Sequence, residues 1–256
     1  MSFYKKKALI SAITPKSGFA RHVITLMMGT GLAQAIGVAL SPILTRLYGP
    51  EEFGIFALFM AITGIACIAS SGRYELAVLL PEKDEDAANL VVSALAIVFF
   101  SSICILALVL AGKHWIARWL GHPEIEQWLY GVPIMVLMTG VFQTLNYWCN
   151  RKKRYDRLAV NRTIRAGLIS GGSIAFGYPR FISGGMIIGT IIGQSLTSLM
   201  FLGQAGTEDW RLRRDIAWAR MRSLMLRYKK FPLLSIPADM VKFPPFFGQV
   251  AKLINC

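Results

Sequence analysis

The sequence has few charged residues, and acidic ones are the scarcest. Charged residues make up 16% of the 256-residue chain, against roughly 25% in an ordinary soluble domain. Only 14 residues are Asp or Glu, against 28 Lys or Arg, which gives a formal net charge of +14. Hydrophobic residues make up 54% of the chain and stand in long uninterrupted blocks, which a soluble fold of this size cannot bury. The composition therefore excludes a soluble globular domain and indicates an integral membrane protein.

Cysteine and histidine are also scarce. The chain has four cysteines and three histidines. Cys67, Cys104 and Cys149 lie inside apolar stretches, and no pair has the CxxC spacing of a metal or redox site. We therefore expect neither a metal site nor a cofactor.

The hydrophobic blocks have the length of membrane-spanning helices, which need about 20 mainly apolar residues each. A 42-residue stretch, 166–207, contains only one charge, Arg180, and suits two crossings joined by a hairpin near residues 179–185. A shorter candidate begins at Phe231. The prediction is an all-α, polytopic helix bundle with six spans and a partial seventh. The first four spans are predicted at residues 23–45, 53–72, 87–112 and 127–150.

Basic residues alternate between the predicted loops and orient the bundle. If the N-terminus is cytoplasmic, the inward segments 1–22, 73–86, 151–165 and 208–230 carry 22 Lys or Arg, against 4 on the outward side. The positive-inside rule predicts this distribution in a cytoplasmic membrane. The cluster Arg151–Arg154 is therefore interpreted as a cytoplasmic anchor. A nucleic-acid patch is the less favoured alternative, because no interleaved aromatic residues accompany the cluster.

The predicted organisation has four parts. Residues 1–22 form a cytoplasmic N-terminal segment, and residues 23–207 form a six-helix lobe. Residues 208–230 are predicted to form a basic amphipathic helix in the inner headgroup layer, with Met221 and Leu224 on its apolar face. Such a helix either anchors the chain or binds anionic lipid head groups. Residues 231–256 hold the partial seventh span and the tail.

Polar residues inside three of the spans recur at helical spacing, so that each helix presents one polar stripe. The stripes either bond adjacent helices together or line a water-filled cavity for a polar substrate. A different pattern, glycine at every fourth residue in GGMIIGTIIGQ, predicts close packing between helices. The stripes are Thr30, Gln34, Ser41 and Thr45; Thr139, Gln143, Asn146 and Asn150; and Thr190, Gln194 and Thr197.

Several stretches resemble a known family. LTRLYGPEEFGIFALF from Leu44 and RYELAVLLPEKDEDAANLV from Arg73 are similar to the amino-terminal part of bacterial polysaccharide biosynthesis proteins of the oligosaccharide flippase family. That family belongs to the multidrug/oligosaccharidyl-lipid/polysaccharide exporter superfamily. WLYGVPIMVLMTGVFQTLNYWCNRKKRYDRLAVNR resembles its fourth helix and basic loop, and GGMIIGTIIGQ with RYKKFPLLSIPA resembles its sixth helix and the start of its seventh. The likeness runs from about residue 19 to about residue 238.

The resemblance implies a transport function without chemistry. Family members move an undecaprenyl-pyrophosphate-linked oligosaccharide across the bacterial cytoplasmic membrane for surface polysaccharide or lipopolysaccharide, and two helical lobes enclose a polar cavity. It implies Arg46 and Arg73 as pyrophosphate contacts. Gln34, Gln143 and Asn146 would face the sugar, and Gln194 would join them in the cavity.

The sequence outside these motifs leaves alternatives to a complete flippase open. After Ala238 the likeness to the family ends, which leaves two expectations open: a lobe completed by a second copy or a second lobe, or a non-functional fragment of a flippase. A membrane glycan polymerase or glycosyltransferase would need catalytic carboxylates or a large outer domain, whereas the longest outward loop is about 14 residues, 113–126. A drug exporter of the same superfamily would need intramembrane carboxylates, and the six predicted spans contain none.

Overall fold

The computed structural model describes residues 18–178, 184–208 and 218–228. These residues form helices and no strands, which confirms the all-α class for the described part of the chain. The helices are α1 Gly18–Leu47, α2 Pro50–Ser71, α3 Tyr74–Ala77, α4 Asp84–Trp119, the 3-10 helix Pro123–Tyr130, α5 Gly131–Arg151, α6 Tyr155–Gly177, α7 Gly185–Glu208 and α8 Trp218–Arg227.

Five of the described helices are long and apolar enough to cross a membrane. The predicted count of six is therefore not confirmed, and the predicted seventh span lies outside the described residues. The difference lies in α6, which begins at Tyr155 rather than near residue 166 and so contains Arg162 and Arg165 within the helix. The five spans are Ile24–Leu47, Pro50–Ser70, Asp84–Trp119, Pro123–Arg151 and Gly185–Ala205.

Local sequence signals set both ends of α2. Pro50 occupies the first turn, and the Glu52 carboxylate accepts a hydrogen bond of 2.9 Å from the Gly49 N–H. Gly72 ends the helix in the left-handed region, with φ 54°. Further along, Asp84, Glu85 and Asp86 form the first turn of α4, where their carboxylates favour the helix dipole.

Glycines bring α6 and α7 into backbone contact. A Cβ on Gly189 would lie 2.3 Å from the Ser173 nitrogen, and one on Gly193 would lie 2.6 Å from the Ile169 nitrogen. The predicted close packing of the GGMIIGTIIGQ glycines is therefore confirmed. At the α1–α6 contact, a Cβ on Gly29 would meet the Ala159 side chain at 2.4 Å, whereas one on Gly37 would meet no described atom within 4 Å.

Helix α8 packs on the protein by its apolar face. Met221 and Leu224 are buried, and Leu224 belongs to a core cluster with Ala77, Ala87 and Trp148. Met221 and Leu224 therefore contact protein, because the start of α4 supplies an apolar surface, and the placement of this helix in the inner headgroup layer stays a prediction. Ion pairs from Arg220 to Glu85 and Asp86, at 3.1 and 3.3 Å, add to the contact.

Candidate functional site

A cavity of about 580 Å³ lies between α1, α5 and α6, and the turn after α2 completes its wall. From α1 it receives Thr30, Ala33 and Gln34. From α5 it receives Phe142, Gln143, Asn146 and Tyr147. Two of the three predicted polar stripes therefore reach one cavity, and their amide groups can donate and accept hydrogen bonds there.

One face of α6 forms the opposite wall. Arg162, Arg165, Ala166, Ile169 and Ser170 line the cavity at steps of 3, 1, 3 and 1 residues, which is the spacing of a single helix face. Neither arginine lies near the end of α6: they are 7 and 10 residues from Tyr155, so about 10 and 15 Å along the helix axis.

The two α6 arginines are held in place by contacts with the other walls. The Arg162 Nη1 donates a hydrogen bond of 3.0 Å to the Thr30 hydroxyl, which joins α6 to α1. The Arg165 guanidinium lies 4.9 Å from the centre of the Phe142 ring, a cation–π contact that joins α6 to α5. Both groups are therefore positioned before any ligand arrives.

Arg73 reaches the cavity from an unusual backbone conformation. It follows Gly72 directly, and both residues are in the left-handed region, with φ 57° at Arg73. For a residue with a side chain this conformation costs about 1–2 kcal/mol. The double left-handed turn ends α2 and directs the chain into the short helix α3, and it places Arg73 in the cavity wall.

The cavity lining is cationic. Arg73, Arg162 and Arg165 supply three guanidinium groups, and none of the thirteen lining residues in the described chain is acidic. Guanidinium groups match phosphate oxygens with paired N–H donors. Among the described residues, no group of three or more His, Cys, Asp or Glu side chains could hold a metal ion.

Two of the predicted site residues lie elsewhere. Arg46 is exposed near the end of α1, about 18 Å along the helix from Gln34. Gln194 is fully buried, and its Nε2 donates to the Met138 carbonyl at 3.4 Å and the Ser198 hydroxyl at 3.2 Å. The polar stripe of α7 thus bonds α7 to α5 and to itself, and the structure places it outside the cavity.

Four predicted site residues do meet in the cavity: Gln34, Arg73, Gln143 and Asn146. Sequence reasoning missed Arg162 and Arg165 as lining residues, because the segment 151–165 was interpreted as a loop. The recurrence of polar residues at 162, 165 and 170 on one face would have identified them had the helix been started at Tyr155.

Comparisons with known proteins agree with this architecture. Residues 43–234 match the sequence model of a family described as "Polysaccharide biosynthesis protein". A search of curated proteins finds no match. The chain also resembles the solved structure of a MOP superfamily transporter from Pyrococcus furiosus, whose binding pocket is described as having reverse polarity that suggests a different function.

The structural likeness is one of fold. The TM-score is 0.56 at 18% sequence identity, with 85% of this chain covered. The match spans 52% of the archaeal transporter, so the chain corresponds to about half of that protein's length. The region that matches the family model contains the turn after α2, α5 and α6, which supply most of the cavity lining. Because the family model covers most of the sequence, the chain belongs to the polysaccharide biosynthesis protein family.

Proposed function

We propose that this chain forms one lobe of a membrane transporter that moves an undecaprenyl-pyrophosphate-linked oligosaccharide across the bacterial cytoplasmic membrane. The observation that carries the proposal is the cavity in which Arg73, Arg162 and Arg165 meet a wall of amides and hydroxyls. The combination suits a ligand that has an anionic group next to sugar hydroxyls. It requires no bond to be made or broken, so the protein would act without being an enzyme.

The two kinds of polar group would take different parts of the ligand. The three guanidinium groups would bind the pyrophosphate oxygens, since paired charge-assisted hydrogen bonds are about twice as strong as neutral ones. Gln34, Gln143 and Asn146 would bind sugar hydroxyls through their amides. The cavity volume of about 580 Å³ lies in the usual range of ligand sites, about 300–1,000 Å³. The cavity would hold the polar head of the ligand, and the long polyprenyl tail would stay in the bilayer.

The position of the cavity fits loading from the cytoplasm. Its residues Arg73 and Tyr147 lie near helix ends that meet the segments 73–86 and 151–154. These are basic or short loops that the positive-inside rule assigns to the cytoplasmic side, together with the N-terminus. A lipid-linked glycan made in the inner leaflet would therefore meet the cavity directly.

The cationic lining also separates this proposal from drug export. Three arginines with no acidic residue among the described lining residues would repel a cationic drug and attract an anionic head group. The other wall of the cavity would come from a second lobe or a second copy of the chain. Anionic lipid head groups are a further proposed partner at the basic end of the bundle.

Ligand binding by the purified chain in detergent tests the proposal. We expect binding of undecaprenyl pyrophosphate, and Arg162→Gln and Arg165→Gln should each weaken it about tenfold, equivalent to about 1.4 kcal/mol. Arg46→Gln removes the same charge outside the cavity and is the matched control. Equal effects of all three substitutions, or no binding by the wild type, would overturn the proposal.

A further inference from the structure

Arg151, at the end of α5, directs its guanidinium group at three backbone carbonyls between Val78 and Glu82 and at the Asp84 carboxylate. Its Nη1 donates to the Pro81 carbonyl at 2.7 Å and to the Val78 carbonyl at 3.4 Å. Its Nη2 donates to the Glu82 carbonyl at 3.3 Å. The Asp84 carboxylate accepts from Nε at 3.1 Å and lies 3.0 Å from Nη2. The side chain is only 12% exposed, so these contacts are shielded from water.

The segment it binds is the turn segment, defined as residues 72–83, which links α2 to α4. This segment has little regular structure of its own: α3 has four residues. It also begins with the two left-handed residues, Gly72 and Arg73. Left-handed residues with side chains persist only where surrounding contacts hold them. The turn segment therefore depends on contacts from outside itself.

A second contact holds the other side of the turn segment. The Tyr74 hydroxyl donates to the Met225 carbonyl of α8 at 3.3 Å. Ala77 and Val78 are fully buried in the cluster that includes Leu224. The residue directly before Tyr74 is Arg73, so any movement of the turn segment moves a guanidinium group of the cavity.

We infer that Arg151 is a positioning residue, which fixes the turn segment so that Arg73 is presented to the cavity. The effect of Arg151 on ligand binding rests on the proposed function, but its effect on the turn segment can be measured without a ligand. It differs from a role as a topological anchor, because an anchor needs only positive charge. Lysine would keep the charge but has one nitrogen, which cannot reach three carbonyls and a carboxylate together.

Arg151→Lys in the full chain is the decisive variant, and Lys153→Gln is its control. Lys153 lies in the same basic cluster and is exposed. Hydrogen exchange should accelerate at least tenfold at the amides of Leu76, Leu79 and Leu80, which bond within the turn segment, in Arg151→Lys but not in Lys153→Gln. Cysteine-accessibility labelling should show the same topology for both. Unchanged exchange in Arg151→Lys would overturn the inference, and Asp84→Asn supplies a milder second variant if that protein fails to fold.

Binding of undecaprenyl pyrophosphate then tests the link to Arg73. We expect Arg151→Lys to weaken binding about tenfold in the wild-type background and to have no further effect in Arg73→Gln, since positioning acts only through the residue that is positioned. Equal losses in both backgrounds would contradict the link. If the wild type binds no ligand, the proposed function fails, and hydrogen exchange alone decides the inference.

Discussion

Replacing Gly189 by alanine tests the backbone contact between α6 and α7. Its Cβ would lie 2.3 Å from the Ser173 nitrogen and 2.5 Å from the Gly172 carbonyl carbon. Ordinary contacts begin near 3.4 Å, so the shortfall is about 1 Å. Both opposing atoms belong to the α6 backbone and cannot rotate away, as a side chain could. The two helices would therefore have to separate.

Separating α6 from α7 should lower the free energy of unfolding in two ways. Overpacking of this kind destabilises a protein by about 1–3 kcal/mol. Moving α7 would also strain the hydrogen bonds from Gln194 and Ser198 to the Met138 carbonyl, at 3.4 and 2.7 Å, each contributing about 0.6 kcal/mol in a membrane protein. We expect Gly189→Ala to lower the free energy of unfolding by about 2–4 kcal/mol.

Unfolding by sodium dodecyl sulfate titration, followed by circular dichroism, measures this free energy. Gly171→Ala is the matched control, because it lies on α6 where an added Cβ meets no described atom within 4 Å. Alanine in an open helical position stabilises by about 0.5–1 kcal/mol relative to glycine. If Gly189→Ala proves as stable as Gly171→Ala, the backbone contact between α6 and α7 does not exist as described.

Three further predictions concern individual side chains. The free energy of unfolding of Arg73→Gly should be about 1 kcal/mol higher than that of Arg73→Gln in the same titration, because glycine adopts the left-handed backbone without strain. Both variants should lose ligand affinity. In a ligand-binding assay, Gln143→Leu should weaken the affinity for a lipid-linked oligosaccharide and Gln194→Leu should leave it unchanged. A loss of affinity in Gln194→Leu but not in Gln143→Leu would contradict the position of the binding cavity. Arg220→Glu should accelerate proteolysis at α8, and adding Glu85→Arg should restore resistance, because the exchanged ion pair reforms.

The membrane helices could be predicted from the sequence because length and hydropathy are local properties. The charge-free runs at 23–45 and 87–112 lie within α1 and α4, the run at 53–72 ends one residue beyond α2, and the run at 127–150 covers the end of the 3-10 helix and nearly all of α5. The start of α6 was misplaced because charge was taken as the mark of a loop. Arg162 and Arg165 lie inside the helix and face the cavity rather than lipid, where charged residues are tolerated.

The role of each polar stripe could not be predicted from its spacing. Periodicity shows that one face of a helix is polar but does not show what that face meets. The α7 stripe bonds to Met138, 56 residues from Gln194 along the chain, whereas Gln143 and Asn146 open into the cavity. Only the arrangement of distant helices separates the two cases. The turn segment was missed for the same reason, since Arg151 reaches carbonyls 69 to 73 residues away.

The attachment of α1 has a consequence for synthesis of the protein. Contacts with α6 from α1, and from Tyr48 directly after it, join residues far apart in the chain: Thr163 and Gly29 are separated by 134 positions, and Tyr48 and Ser173 by 125. Ribosomes add about 5–20 residues per second, so α1 leaves the ribosome about 7–27 s before its partner. During that interval its Gly29 surface has no α6 to pack against. Helix α1 must therefore wait in the translocon or the bilayer, and insertion factors have that window in which to protect it.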